Sequence, residues 1–257
     1  MNRPPPGTLY LVPTPLDFGV DADAPLDQVL PAHTVATAAR LTHWVTENAK
    51  STRAFLKRVA ATHPLAAALQ AQQITELPRQ VHKKGDHDPA QAYDARPLLA
   101  TALAGQDMGL VSEAGMPAIA DPGASVVRAA HALGVPVVPL VGPISLMLAL
   151  AASGLNGQHF AFVGYLPQEA SARAQRLREL ETLADKTGQT QLFIETPYRN
   201  ETLLQGLLAT LKPSTRLAVC TGITLPQQAV HSALVADWKK RPPDLPLSLP
   251  AIFLIGR

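Results

Sequence analysis

Short apolar runs that end in proline recur along this chain, and they constrain its fold more than any other feature. Pro13 and Pro15 follow Thr8 to Val12, Pro117 and Pro122 follow Gly109 to Val111, Pro143 follows Val137 to Val141, Pro167 follows Phe160 to Leu166, and Pro197 follows Leu192 to Ile194. Proline lacks an amide donor and fixes φ, so these positions are strand exits and not strand interiors. Proline makes up 24 of the 257 residues, roughly twice its usual share of about 5%.

Helical patterns lie between the runs. In Ser51 to Ala60, Ala54, Phe55, Leu56 and Val59 form an apolar face while Arg53, Lys57 and Arg58 face out. Similar patterns cover Ala90 to Leu103, Ala124 to Leu133, Ile144 to Ala152, Ala170 to Leu183 and Glu201 to Leu211. Strands alternating with helices require crossover connections, hence an α/β fold with a largely parallel, doubly wound sheet. One expected set of strands is Thr8–Val12, His43–Thr46, Ile74–Leu77, Met108–Val111 and Val135–Leu140; a second is Phe160–Gly164, Gln191–Glu195, Arg216–Thr221, Gln228–Val235 and Ala251–Ile255. The loop-type cluster Ser153 to Gln158 separates them, giving two α/β domains, 1–153 and 159–257.

Composition then removes whole classes of function. With 22 Lys+Arg against 20 Asp+Glu and 47% hydrophobic residues, the chain reads as ordinary globular protein. Its pI of about 8.8 is compatible with a polyanionic partner. One cysteine, Cys220, makes neither an intrachain disulfide nor a multi-thiolate metal site and reads as a small buried hydrophobe. The apolar stretch Ile144 to Leu155 is interrupted by Ser145, Ser153 and Gly154, and is shorter than the roughly 20 residues a bilayer needs. The first residues do not read as an export signal, so a cytoplasmic location is expected.

The densest motif is Leu110 to Gly123, which leaves a strand and opens a helix. In an open α/β sheet ligands bind outside the carboxyl ends of strands. Ser112 and Glu113 offer hydrogen bonds there, Gly115 and Gly123 let backbone approach a ligand, and the helix starting near Gly123 offers amide groups; the alternative is a long turn with Asp121 as a helix cap. Val12 to Gly19 and Leu140 to Ser145 are further loops of this type. Neither a dinucleotide fingerprint nor a phosphate loop is present, and Ser112 and Ser145 lack the nucleophile elbow of a serine hydrolase. The cluster His82 to Asp88, with two adjacent lysines, reads as a solvated loop, so no metal is expected. Basic groups at Arg53, Lys57 and Arg58, at Arg173, Arg176 and Arg178, and at Lys239 to Arg241 are solvated faces or nucleic-acid contacts. Tyr93, Tyr165 and Tyr198 are available for base stacking.

Taken together, these residues resemble the tetrapyrrole methylase superfamily of S-adenosylmethionine-dependent methyltransferases, and within it the ribosomal RNA small subunit methyltransferase I branch. The resemblance runs through Leu9 to Leu16, Glu47-Asn48, Val111 to Pro117, Ala120 to Gly123, Val137 to Pro143, Ala151 to Leu155, Phe162 to Pro167 and Phe193 to Arg199. It implies two αβα domains with a mainly parallel sheet in the N-terminal one and a mixed sheet in the C-terminal one, S-adenosylmethionine in the interdomain cleft, and a homodimer. Position by position, it places Pro13, Pro15, Ser112, Ala114, Gly115, Pro117, Gly142, Ser145, Glu195 and Tyr198 against cofactor and substrate. The branch generally carries Glu-Asp-Thr-Arg where this chain has Glu47-Asn48, Gly-Asn where it has Asp17-Phe18-Gly19, and Arg-Glu-Leu-Thr-Lys where it has Thr221 to Leu225.

Methyl transfer from a sulfonium is an in-line displacement, so alignment in a dry cleft is the protein's main role. A ribose hydroxyl also needs a proton acceptor, for which Glu113 and Glu47 are the candidate catalytic residues. The expected function is methylation of RNA, at a ribose oxygen of small-subunit ribosomal RNA. Carbon methylation of a tetrapyrrole or another small acidic substrate, and a non-catalytic cofactor-binding paralogue, are the alternatives; fold analogy does not choose among them.

Overall fold

The computed structural model describes residues 5–17, 25–78 and 93–257. The chain divides into two compact units, Met1–Pro143 and Ile144–Arg257. The first contains β1 (Leu9–Leu11), α1 (Ala32–Arg40), β2 (His43–Thr46), α2 (Ala49–Ala60), β3 (Gln73–Glu76), a 3-10 turn Arg96–Leu99 leading into α3 (Ala100–Leu103), β4 (Met108–Val111), α4 (Ala124–Leu133) and β5 (Val137–Pro139). Its sheet has the order β3-β2-β4-β1-β5, and its pairings are parallel, with Leu9 opposite both Met108 and Val137. Burial follows that order: central β4 is buried throughout, while the edge strands β3 and β5 are largely open.

Alternating side chains build one core on each face of this sheet. Val12, Trp44 and Val111 pack with Val35, Ala38 and Ala39 of α1 and with Phe55, Leu56 and Val59 of α2. On the other face, Leu9, Val45 and Leu110 pack with Leu99 and Ala102 and with Val126, Ala129 and Ala130 of α4. Two faces covered by helices are what an all-parallel sheet requires. Within α2 the inward face uses Thr52, Phe55, Leu56 and Val59, and Ala54 is exposed. Thr52 goes inside because its hydroxyl hydrogen-bonds the Asn48 carbonyl at 2.9 Å and the buried Thr46 hydroxyl. Arg58, expected to face out, is mostly covered because it pairs with Asp17 at 2.7 Å.

The second unit contains α5 (Ser145–Ser153), β6 (Phe160–Tyr165), α6 (Ala170–Thr187), β7 (Thr190–Glu195), a 3-10 turn Pro197–Arg199 leading into α7 (Asn200–Thr210), β8 (Arg216–Thr221), β9 (Ala229–Leu234), α8 (Val235–Lys240) and β10 (Ala251–Gly256). Its sheet is mixed: in the order β6-β7-β10-β8-β9, only the β6–β7 pairing is parallel. Leucines of α6 and α7, with Val235 and Trp238 of α8, cover the face carrying Phe193, Leu217, Val219 and Phe253. The opposite face receives α5, whose Ala149 carbonyl meets the buried Cys220 Sγ at 3.7 Å. Helix α5 therefore belongs with the second sheet, and the division falls one helix earlier than the loop Ser153 to Gln158 would place it. Ser232 fixes the end of that helix by donating to the Ser153 carbonyl at 2.6 Å.

Every expected strand is present with its ends shifted by a few residues at most. Helices α1 and α8 have no counterpart among the expected elements. The first is rich in alanine and threonine with little apolar bulk, and the second is a single short stretch at the end of an apolar strand pattern. In place of the helix expected over Ala90 to Leu103, residues 93–95 are irregular and a 3-10 turn from Arg96 leads into the short α3; residues 90–92, the cluster His82 to Asp88 and the residues Phe18 and Gly19 lie outside the described residues.

Candidate functional site

Strands β1 and β4 are neighbours, yet the chain leaves them toward opposite faces of the first sheet: α1 follows β1 on one side and α4 follows β4 on the other. That is the topological switch point at which open α/β sheets form a crevice at their carboxyl ends. Because the pairings are all parallel, the exits of β2, β4, β1 and β5 share one edge in that order. Pro13 and Pro15, Glu47, Ser112 to Pro117, and Gly142 all lie on these exits.

The exits are tied to one another. Thr14 and Gly115 exchange backbone hydrogen bonds of 3.0 and 3.1 Å as an isolated antiparallel bridge. Gly115 takes φ +78°, and a Cβ there would stand 3.0 Å from Leu16 and 3.5 Å from the Pro143 carbonyl, so the position needs glycine both for its conformation and for space. At Gly142 a Cβ would fall 2.3 Å from the Pro13 ring, so the exits of β5 and β1 touch through a missing side chain. Ala118 and Ala120 are held at φ 66° and 64°, a left-handed conformation costing a non-glycine residue about 1 kcal/mol or more that is seen preferentially at ligand-binding turns. Gly123, not Asp121, occupies the N-cap position of α4.

Carboxylates gather on this framework. Glu113 accepts from Asn48 Nδ2 at 2.7 Å, and its backbone amide donates to Glu47 Oε2 at 3.3 Å. The same Asn48 caps α2, its Oδ1 accepting from the amides of Lys50 and Ser51, so that helix starts at Ala49, two residues before the apolar pattern does. Asp121 joins them although the sequence marks it only as a possible helix cap: burial, then the charges of Glu47 and Glu113, push its carboxyl up to about 7. No sequence spacing brings those three residues together; the strand order does. Ser112 is buried, and its Oγ has no hydrogen-bond partner among the described residues. A buried hydroxyl left without a partner is costly and is found where a ligand supplies one.

The remaining expected site residues belong to the second unit. Ser145 opens α5. Glu195, buried at the end of β7, accepts from the Thr196 amide at 2.7 Å and from Arg199 Nη2 at 2.7 Å. Tyr198 is 80% exposed, with the Arg199 guanidinium 5.2 Å from its ring centre. Among the described residues no group of three or more His, Cys, Asp or Glu is arranged to hold a metal ion, and no helix is long and apolar enough to cross a membrane.

A doubly wound parallel sheet with its crevice loops joined at one edge, followed by a mixed α/β unit, makes this a two-unit α/β protein with a ligand crevice on its first sheet. The chain belongs to the tetrapyrrole (corrin/porphyrin) methylases, whose family model matches residues 32–238. It is 29% identical over 231 residues to the ribosomal RNA small subunit methyltransferase I of Escherichia coli O157:H7, covering 90% of this chain and 70% of that one. To the protein of the same name from Xylella fastidiosa it is 32% identical over 214 residues, covering 83% and 67% respectively. The crystal structure of the methyltransferase CobJ shares the fold, with a TM-score of 0.56 at 18% identity over 98% of this chain and 94% of that one.

Proposed function

We propose that this protein transfers a methyl group from S-adenosylmethionine to small-subunit ribosomal RNA, at a ribose 2′-oxygen. The observation that carries the reading is the joined carboxyl edge of the first sheet, with a buried, unpartnered Ser112 hydroxyl beside the bridge between Thr14 and Gly115. It occurs in a member of a methylase family whose similar curated relatives are named for this RNA substrate. Pro13, Pro15, Ala114, Gly115, Pro117 and Gly142 belong to the loops that would line a flat adenosyl group, Gly115 and Gly142 by letting those loops close on one another, and Ser112 supplies the hydrogen bond. Ser145 and Glu195 complete the set expected at the cofactor, and Tyr198 is assigned to the substrate.

The cofactor, when bound, supplies an activated methyl on a sulfonium. The chain's own part is to hold the acceptor in line and take its proton. Glu113 suits the proton transfer, because Asn48 occupies its Oε1, leaving Oε2 to accept from the ribose hydroxyl. Glu47 supports it by holding the Glu113 amide. Asn48, where the branch generally carries Asp, adds no further acid to Glu47, Glu113 and Asp121 and orients Glu113 instead. A cytoplasmic homodimer is part of the same reading.

The test has two measurements. Titration calorimetry with S-adenosylhomocysteine should show one site per chain, with thermal stabilisation at millimolar ligand because a ligand that binds only folded protein must raise stability. Small ribosomal subunits lacking methylation should then accept labelled methyl, with Glu113→Gln slowing transfer far more than it weakens cofactor binding. Label that enters a tetrapyrrole and never RNA would move the substrate; absence of any cofactor binding would remove the reading.

A further inference from the structure

Tyr198 is the most exposed large hydrophobic side chain among the described residues, at 80%, and it contributes nothing to the core of its unit. The turn that carries it is nevertheless firmly closed. Tyr198 sits in the 3-10 turn Pro197–Arg199, closed by the Arg199 amide donating to the Thr196 carbonyl at 2.9 Å. Its neighbour Arg199 is anchored by a 2.7 Å ion pair to Glu195, whose side chain is only 5% exposed. That anchor sets the guanidinium 5.2 Å from the Tyr198 ring centre, within cation–π range. Tyr165 ends the adjacent parallel strand β6, opposite Ile194 of β7, and is also exposed, at 59%.

A solvent-facing aromatic ring beside an arginine whose own carboxylate partner is buried adds nothing to the core of its unit. It suits a ligand with a π-face and a nearby negative charge. We propose that Tyr198, backed by Arg199, is a stacking platform for an unpaired base of the RNA substrate. The proposal rests on the RNA reading above and specifies how that substrate is held. Bases stack on aromatic rings irrespective of sequence, and a turn that is already closed needs no ordering on binding. The Glu195–Arg199 pair is then a positioning device for the platform.

The experiment measures binding of a labelled short single-stranded RNA by fluorescence anisotropy across a salt series, for the wild-type chain and for Tyr198→Ala, Tyr198→Phe and Tyr198→Trp. Binding of S-adenosylhomocysteine is measured in parallel. Tyr198→Ala should weaken RNA binding about tenfold, about 1.4 kcal/mol, with the log–log salt slope unchanged because no phosphate contact is lost. Phe and Trp should restore it, and cofactor affinity should be the same in all four proteins. If the wild type binds RNA and Tyr198→Ala binds it equally well, the platform is wrong while the RNA reading stands. It is equally wrong if Phe is as weak as Ala, or if cofactor affinity falls instead. If the wild type binds no RNA and methylates a tetrapyrrole, both readings fall together.

Discussion

The two sheets of this protein have five strands each, but they spend their carboxyl ends differently. In the first, the pairings are parallel, and four adjacent strands deliver their exits to one edge, where the loops bridge and interlock. In the second, β10 runs against both its neighbours, so the exits of β7 and β8 are separated by a strand pointing the other way. The consequence appears in the carboxylates. Asp121, in the first unit, is withdrawn from solvent near two like charges and is pushed up to about 7. Glu169, in the second, accepts from the Ser171 hydroxyl and from the Ser171 and Ala172 amides at the start of α6 and is held down to about 2. At the crowded parallel edge carboxylates face one another, whereas the buried carboxylate at the end of β7, Glu195, is matched by Arg199; an unmatched electrostatic cost is tolerated where a site needs it.

The largest expected effect tests that cost directly. Burial and the charges of Glu47 and Glu113 push the Asp121 carboxyl from its ordinary value of 3.8 up to about 7. Between those values the folded state holds an extra proton, so stability falls as pH rises from about 4 to about 7, at up to about 1.4 kcal/mol per pH unit. Asp121→Asn removes this loss. Urea melts from pH 4 to 8 should show the variant gaining on the wild type as pH rises, by a few kcal/mol at the top of the range. A pH dependence identical in both proteins would mean that Asp121 is as solvated as Glu169, and the contrast between the two edges would fail.

Packing offers the next effect. Gly109 lies in the middle of the first sheet, and a Cβ there would stand 2.4 Å from the Trp44 ring. Trp44 is 1% exposed and tethered through its Nε1 to Gln72 Oε1 at 2.9 Å, so it has nowhere to retreat. Gly109→Ala should cost about 2 to 3 kcal/mol by overpacking, read from a shift in the denaturant midpoint.

Much of this is legible in the sequence because proline and apolar periodicity act locally. The ends of β2, β4 and β8 are those the sequence implies, since each is bounded by residues that cannot continue a buried strand. The long apolar run Ile144 to Leu155 also announces a helix, but its hydrophobicity is nearly uniform around the axis. No face then says which sheet the helix covers, and the expected boundary falls after it rather than before it. The site divides in the same way. Gly115, Gly142 and Ser112 are visible as turn residues after strands. The perturbation of Asp121 is not, because it arises in part from Glu47, which only the parallel pairing of β2 with β4 brings near. Asn48 reads as a missing acid in sequence and proves to be a helix cap that also holds Glu113. Arg58 reads as a surface cation and proves to be paired with Asp17.

The smallest expected effect sharpens the comparison from the other side. Gly164, in the second unit, takes φ +72° at the point where the register of β6 against β7 shifts between Phe162 and Tyr165. Unlike Gly109, it has no atom within 4 Å of where a Cβ would stand. Gly164→Ala therefore meets only the intrinsic penalty of a left-handed backbone, about 1 kcal/mol. If open space is what distinguishes this edge, the substitution should lower the denaturant midpoint slightly and leave cofactor affinity untouched. A loss as large as that of Gly109→Ala would show that the irregularity in β6 is as tightly packed as the centre of the parallel sheet. The turn that presents Tyr165 would then be a braced element, and the mixed sheet would be no more permissive than its partner.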